Sequence, residues 1–325
     1  MHRFRWLAVA AVAALGVSTV AVAPATARTR AQSNGISGDE IKVAGVVDAQ
    51  APDTGIGAQA RFDEENAKGG VFGRKIKLVE MANDNGDPTQ DEAAVKRLVQ
   101  QDGVAAIVPV QSVVFQGGTF LAQQRVPFFG WGISTQFFKN PYGFGFTGPA
   151  VTPSPVKSSN TSWAGALDAM FRAQGDPNGA KGKTVALIAE ENDSGVTGLE
   201  ENIPPVKAYG MKIVYQKASI PFATPPSDYT PFVNQLLTSN NGKAPDVIIQ
   251  LNQVNVVIGL SRALNEAGYT GVDTNAVLYD PRAVGIAKNQ VIYTQFDVPE
   301  DTANPNMQKV VTALENAGLG TATKP

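Results

Sequence analysis

The sequence predicts an α/β protein of two lobes, each built on a parallel sheet with helices packed against it. Three observations lead there. Short apolar runs bounded by turn residues alternate with helix-length segments along most of the chain, the pattern of parallel strands joined by helical crossovers. The alternation comes in two arrays, separated by the turn-rich stretch NPYGFGFTGPAVTPSP. The composition, 43% hydrophobic and 17% charged over 325 residues, is that of a globular protein with enough chain for two ordinary domains.

The first array opens with IKVAGVV (41–47), an apolar run that reads as a buried strand. Residues 56–68 read as a helix ended by Gly69 and Gly70. KIKLVE (75–80) alternates and reads as a strand. Asp87-Pro88 sets an N-cap before a proline at the first helical position, so a helix follows, with Leu98 and Val99 on its apolar side and Gly103 at its end. VAAIVPV is the third strand, FQGGTFLAQQR a helix and VPFFGW the fourth strand.

The second array begins with SSNTSWAGALDAMFRAQG as a helix and KTVALIAE (183–190) as a strand. A helix interrupted by Pro204 and Pro205 comes next, then the strand MKIVYQKA. Asp228 caps the helix YTPFVNQLLTS, DVIIQLN is a strand, VNVVIGLSRALNEAG a helix and NAVLYD (275–280) a strand. NMQKVVTALENAG reads as a final helix. The boundary between the arrays falls near residues 148–156.

Residues 1–27 differ in kind. A short basic start, an apolar stretch and the small-x-small site Ala25 to Ala27 make a secretory signal peptide, cleaved before Arg28. The sequence thus predicts an exported chain, periplasmic or at the cell envelope, with residues 28–36 as a flexible N-terminus. There is no cysteine, so no disulfide and no lipid-bearing thiol, and the protein is not expected to be a lipoprotein. The one histidine is His2, inside the signal peptide. Without His or Cys the mature chain cannot carry a Ser-His-Asp or Cys-His nucleophile, nor the usual zinc ligands. A net charge of −2 with no basic run gives no reason to expect nucleic acid. No metal or cofactor site is expected.

In open parallel sheets, ligands sit beyond the carboxyl ends of the strands, where helix N-termini present unpaired N–H groups. Those ends read DAQAPDTG, QSVV and GWGIST in the first array, and EENDSG, NQVN and YDPR in the second. Ser112 is either a helix N-cap or a ligand contact. Gly132, Ile133 and Ser134 place bare backbone and a hydroxyl after an apolar strand, as suits an anion such as a carboxylate; a tight turn is the structural alternative. Trp131 walls the pocket or belongs to the core. Ser194 and Asn252 lie at the second array's strand ends. Asp280 faces an ammonium or caps the turn before Pro281. The acidic cluster AEEND (189–193) is most simply a solvated loop. GIGAQA (55–60), with Glu80 further on, fits a dinucleotide-binding spacing, but seven residues separate it from Val47 where the motif should follow the strand at once.

The stretch GAQARFDEENAKGGVFGRKIKLVEMANDNGDPTQDEAAVKRLVQQDGVAAIV resembles the branched-chain amino acid-type (Leu/Ile/Val-binding-like) substrate-binding proteins of ABC transporters, which have the type I periplasmic-binding fold. KTVALIAEENDSG, DYTPFVNQL, APDVIIQLN and LSRALNEAGYTG extend the likeness to roughly residues 36–318. The resemblance implies two Rossmann-like lobes joined at a hinge: lobe 1 over 37–150, lobe 2 over 151–295, and a return segment over 296–325 packing on lobe 1. It implies a solute's carboxylate on Ser112, Gly132, Ile133 and Ser134. An aromatic usually found in the NDSG loop is Ser194 here, and the acid for a ligand ammonium falls on Asp280 or, with a different gap, on Arg282. The family's usual C-terminal elements are expected to be missing after Pro325.

The function so implied is binding without catalysis: a small carboxylate-bearing solute, such as an amino acid, is enclosed between the lobes and delivered to a membrane permease served by an ATPase. A sensory ligand-binding domain of the same fold and an exported hydrolase working through paired carboxylates are the alternatives.

Overall fold

The computed structural model describes residues 35–48, 53–146, 163–275, 285–286, 289–292 and 303–318. The first sheet contains β1 (Glu40–Val47), β2 (Lys75–Asn83), β3 (Ala106–Gln111), β4 (Phe128–Gly130) and β5 (Gly143–Gly145), in the order β2-β1-β3-β4-β5. Every neighbouring pair is parallel. Helices α1 (Thr54–Ala67), α2 (Pro88–Gln100) and α3 (Gly118–Gln124) connect the strands, and a short 3-10 turn (Thr135–Phe137) follows β4. The second sheet contains β6 (Thr184–Glu190), β7 (Lys212–Ile220), β8 (Val247–Leu251), β9 (Val272–Asn275) and β10 (Gln290–Ile292), ordered β10-β9-β8-β6-β7 and again parallel throughout. Its helices are α4 (Trp163–Ala173), α5 (Asp193–Ala208), α6 (Thr230–Leu237) and α7 (Val254–Glu266); α8 (Pro305–Asn316) lies against α1. The two sheets belong to one compact unit.

The core of each half follows from burial on both faces of a parallel sheet. Ala44, Val46, Ile107, Val110 and Phe128 pack against Val95, Leu98 and Val99 of α2 and Leu121 of α3. Phe115, Phe128 and Phe137 form a tilted aromatic cluster there, with centroids 4.8–5.7 Å apart. In the second half β6 is buried along nearly its whole length. One of its faces meets α4 and α5, and the other meets α6 and α7.

Asp87 caps α2 as its sequence predicts, accepting from Thr89 and Gln90 N–H, with Pro88 in the first turn. Asn66 near the end of α1 clamps β2 with a two-way bond to the Ile76 peptide, 2.7 Å in each direction.

Three sequence readings need correcting. α5 runs through Pro204 and Pro205 without a break; Leu199 and Val206, buried on either side of the prolines, hold the helix to the sheet against the lost backbone bonds. Asp228 lies one residue outside the cap of α6 and accepts from Thr230 N–H at 2.9 Å. The stretch read as turns between the arrays contains β5, whose Phe144 stacks on Phe129 of β4 at 5.0 Å. GIGAQA lies inside α1, in line with the helix read over 56–68, and Glu80 is paired to Arg97 at 2.6 Å. The boundary region 148–156 lies outside the described residues.

Candidate functional site

The carboxyl ends of the two sheets face each other. α5 begins at the end of β6, where the Asn192 side chain accepts from Gly195 N–H at 2.7 Å and starts the helix. This projects Ser194 across to the first half, where its hydroxyl donates to the Val113 carbonyl at 2.7 Å and lies 3.4 Å from the Ile133 carbonyl. Those carbonyls belong to the loops after β3 and β4. Beside them, Gln116 Nε2 donates to Asp193 Oδ2 at 3.3 Å, and Gln136 Nε2 donates to Gln116 Oε1 at 3.4 Å. On another side, the Phe222 ring after β7 lies over Gly86, where an added Cβ would come within 3.2 Å of it.

The structure brings Ser112, Trp131, Gly132, Ile133, Ser134 and Ser194 into this one region. Ser112 is buried, and its hydroxyl accepts from Val114 N–H at 3.2 Å. It stands six residues ahead of α3 and does not cap it. Ser134 is also buried; its hydroxyl donates to the Phe115 carbonyl at 2.9 Å and accepts from Gln136 N–H, which shapes the 3-10 turn. Trp131 is half-buried and its N–H donates to the Val110 carbonyl at 3.2 Å. The two glycines have separate reasons. Gly130 allows β3 to approach, since a Cβ there would sit 2.2 Å from the Val110 carbonyl oxygen. Gly132 has φ +73°, a conformation other residues adopt only with strain. Among the described residues, nothing accepts from the N–H groups of Gly132, Ile133 and Ser134. Asp280 and Arg282 lie outside the described residues.

The second half contributes buried acceptors that the sequence reading did not single out, except for Asn252. Glu190, the last residue of β6, is 2% exposed. Its Oε2 accepts from Gln253 N–H at 2.8 Å, while Oε1 has no partner. Asn252, 2% exposed, points its Nδ2 at Gln250 Oε1 (3.5 Å) and leaves Oδ1 unpartnered; Gln253 Oε1 is likewise buried and unpartnered. The register Ala189↔Leu251 sets Glu190 beside Asn252. Burial pushes the Glu190 carboxyl up to about 7, with Gln253 N–H acting against the shift and the charge of Asp48, at the end of β1, adding to it. AEEND is therefore not uniformly solvated: Glu191 and Asp193 are exposed, and Glu190 is core. The continuous apolar run before it, VALIA, was the available signal, because a strand buried on both faces carries its last residue inward too.

Behind the first half's loops sits another acidic pair. Asp91 of α2 accepts from Gln116 N–H at 2.7 Å, tying the loop after β3 to the helix; burial, with Asp84 nearby, raises its carboxyl to about 7. Burial likewise raises Asp84, against the Ser112 hydroxyl and Gly86 N–H.

Two parallel-sheet halves thus meet at their carboxyl ends, with backbone N–H groups that find no acceptor among the described residues on one side and buried acceptors on the other. The chain belongs to the periplasmic binding protein family, whose model matches residues 40–324, and within it to the type I, leucine/isoleucine/valine-binding-like group. Solved structures agree on the fold. A substrate-binding protein of an ABC transporter from Aeropyrum pernix superposes with a TM-score of 0.70 at 16% identity, over 88% of this chain and 74% of that one. A fatty acid ABC transporter substrate-binding protein from Thermomonospora curvata gives 0.66 at 16% identity, over 88% and 71%. A solute-binding protein from R. palustris in complex with 4-hydroxybenzoate gives 0.60 at 16%, over 87% and 75%. No curated protein matches the chain. The family is extracytoplasmic, and no helix among the described residues is long and apolar enough to cross a membrane.

Proposed function

We propose that this chain is the extracytoplasmic solute-binding component of an ABC uptake system. It encloses a small carboxylate-bearing solute between its lobes and hands it to a membrane permease, with no bond made or broken. The lobes are taken as 37–150 and 151–295, with 296–325 returning to lobe 1, and residues 1–27 as the export signal. The observation that carries this reading is the row of N–H groups at Gly132, Ile133 and Ser134, which meet no acceptor among the described residues and are set against the first turn of α5 through Ser194. Successive backbone N–H groups in a left-handed turn form an anion-binding concavity, and a second lobe closing over it makes binding and closure one event. The fatty acid of the Thermomonospora curvata transporter protein and the 4-hydroxybenzoate of the R. palustris complex are both carboxylates, which supports the same ligand class.

Thermal unfolding with millimolar leucine, glutamate, benzoate, 4-hydroxybenzoate, hexanoate and small amides tests this. A ligand at a hundred times its Kd adds about 2.7 kcal/mol, so a true solute raises the midpoint clearly. Gly132→Val, which cannot hold φ +73° without strain, is expected to lose at least about tenfold in carboxylate affinity. A midpoint that no carboxylate moves would count against the reading.

A further inference from the structure

We propose that Glu190 is a specificity residue, and that the solute presents to it a cationic hydrogen-bond donor, an ammonium or guanidinium, at the end of β6. This rests on the cleft being the solute site. Three features of Glu190 set it apart from a structural carboxylate. It is 2% exposed, at the end of β6, beside the residue that precedes the first turn of α7. One oxygen is fixed by Gln253 N–H at 2.8 Å, which orients the group. The other has no partner, and the neighbouring Asn252 Oδ1 and Gln253 Oε1 have none either.

The unsatisfied capacity at this place is thus for acceptance: three oxygens, each buried, each able to take a proton-bearing donor. A buried acceptor without a partner costs stability, more so when it is charged. A carboxylate-only ligand would leave that cost in place and add a like charge; an ammonium brings three donors and a guanidinium five. The charge of Asp48, at the end of β1, acts on the Glu190 carboxyl in the same direction as burial. The position is on β6, a different segment of the chain from YDPR, on which the family resemblance places an amine partner. Since the Glu190 carboxyl stands at about 7, a proton and the cation compete for one oxygen at neutral pH, and cation binding releases a proton.

Calorimetry on the full chain with matched pairs decides the matter: leucine against 4-methylpentanoate, 5-aminopentanoate against pentanoate, and 4-(aminomethyl)benzoate against 4-methylbenzoate. At least one amine is expected to bind tenfold or more tightly than its partner, and Glu190→Gln is expected to abolish that advantage while leaving the amine-free acid's affinity unchanged or improved. In wild type at pH 7, buffers of different ionisation enthalpy should show protons released with the amine and not with its partner; this second readout stands even where the variant fails to fold. Acids that bind without any preference for the amine would overturn the inference and leave the transport reading intact. A preference that survives Glu190→Gln would overturn it too. Binding of neither member of any pair would overturn both.

Discussion

Ser194, Glu190 and Asp273 show what a single polar side chain does where it is wholly or partly withdrawn from water. Asp273 on β9 is buried with Gln250 and Ser261: Gln250 Nε2 donates to Asp273 Oδ1 at 2.7 Å and to Ser261 Oγ at 2.9 Å, and Ser261 donates to Asp273 Oδ2 at 2.5 Å. Burial raises the Asp273 carboxyl while these two donors act against the shift. Ser261→Ala leaves Oδ2 without its donor in a dry site, and should cost about 1–3 kcal/mol, read as a lower denaturant midpoint with an unchanged slope. A loss well under that range would mean that water reaches the carboxylate. The same chemistry sets what the Ser112 and Ser134 hydroxyls bond to within the fold. A hydroxyl next to a turn satisfies local backbone groups first, and both serines do so at distances of 2.9–3.2 Å. In the proposed site, that leaves the backbone N–H groups of the loop after β4 to meet the solute.

At the scale of elements, the chain relies on short tethers between each helix and the strand it serves. Asn66 joins α1 to β2 by bonds to both sides of the Ile76 peptide. Asn66→Ala removes both and is expected to lower stability by about 1–3 kcal/mol, with hydrogen exchange quickening at Ile76 in particular; Asn66→Asp, which keeps the acceptor alone, should fall between. Most of the elements were legible beforehand because their signals are local. Gly69 and Gly70, Asp87-Pro88 and the apolar run VALIA mark ends and strands with no need of a partner. β5 escaped because Gly143–Gly145 spans three residues, two of them glycine, and exists only through pairing with β4. α5 escaped as a continuous helix because its two prolines argue for a break and only tertiary burial of Val206 argues against it.

The whole molecule carries several carboxyls that burial holds near neutrality. Asp91, Glu190 and Glu201 all stand at about 7, with burial the leading cause in each. Their folded values exceed the unfolded ones, so the folded chain keeps protons that the unfolded chain releases as pH rises from about 4 to 7. Stability therefore falls across that window. Below about 4, carboxyls held low by partners work the other way: Glu80 beside Arg97, Asp168 beside Arg172 and Asp176 beside Lys183 become protonated and lose their contribution. The unfolding midpoint is expected to peak near pH 5 and to lie several degrees lower at pH 8, at about 2–4 °C per kcal/mol for a chain of this order of size. A midpoint that rises steadily from pH 5 to 8 would show that these acids are ionised in the fold. A ligand cation on Glu190 should flatten the decline.

The sequence by itself determined the two parallel-sheet arrays, the turn chemistry at their ends and the family, because strand and helix periods, caps and glycine stops act over a few residues. It also put Ser112, Gly132, Ile133, Ser134 and Ser194 at strand ends, where a ligand site belongs. Only the tertiary structure decided what those residues touch. Ser194 meets Val113 across 81 positions and Ile133 across 61; Gln253 meets Glu190 across 63. Glu190 ends a strand that is covered by helices on both faces, drawn from four separate segments. No local pattern encodes such a meeting, because solvation and charge at a site are set by every segment that closes over it.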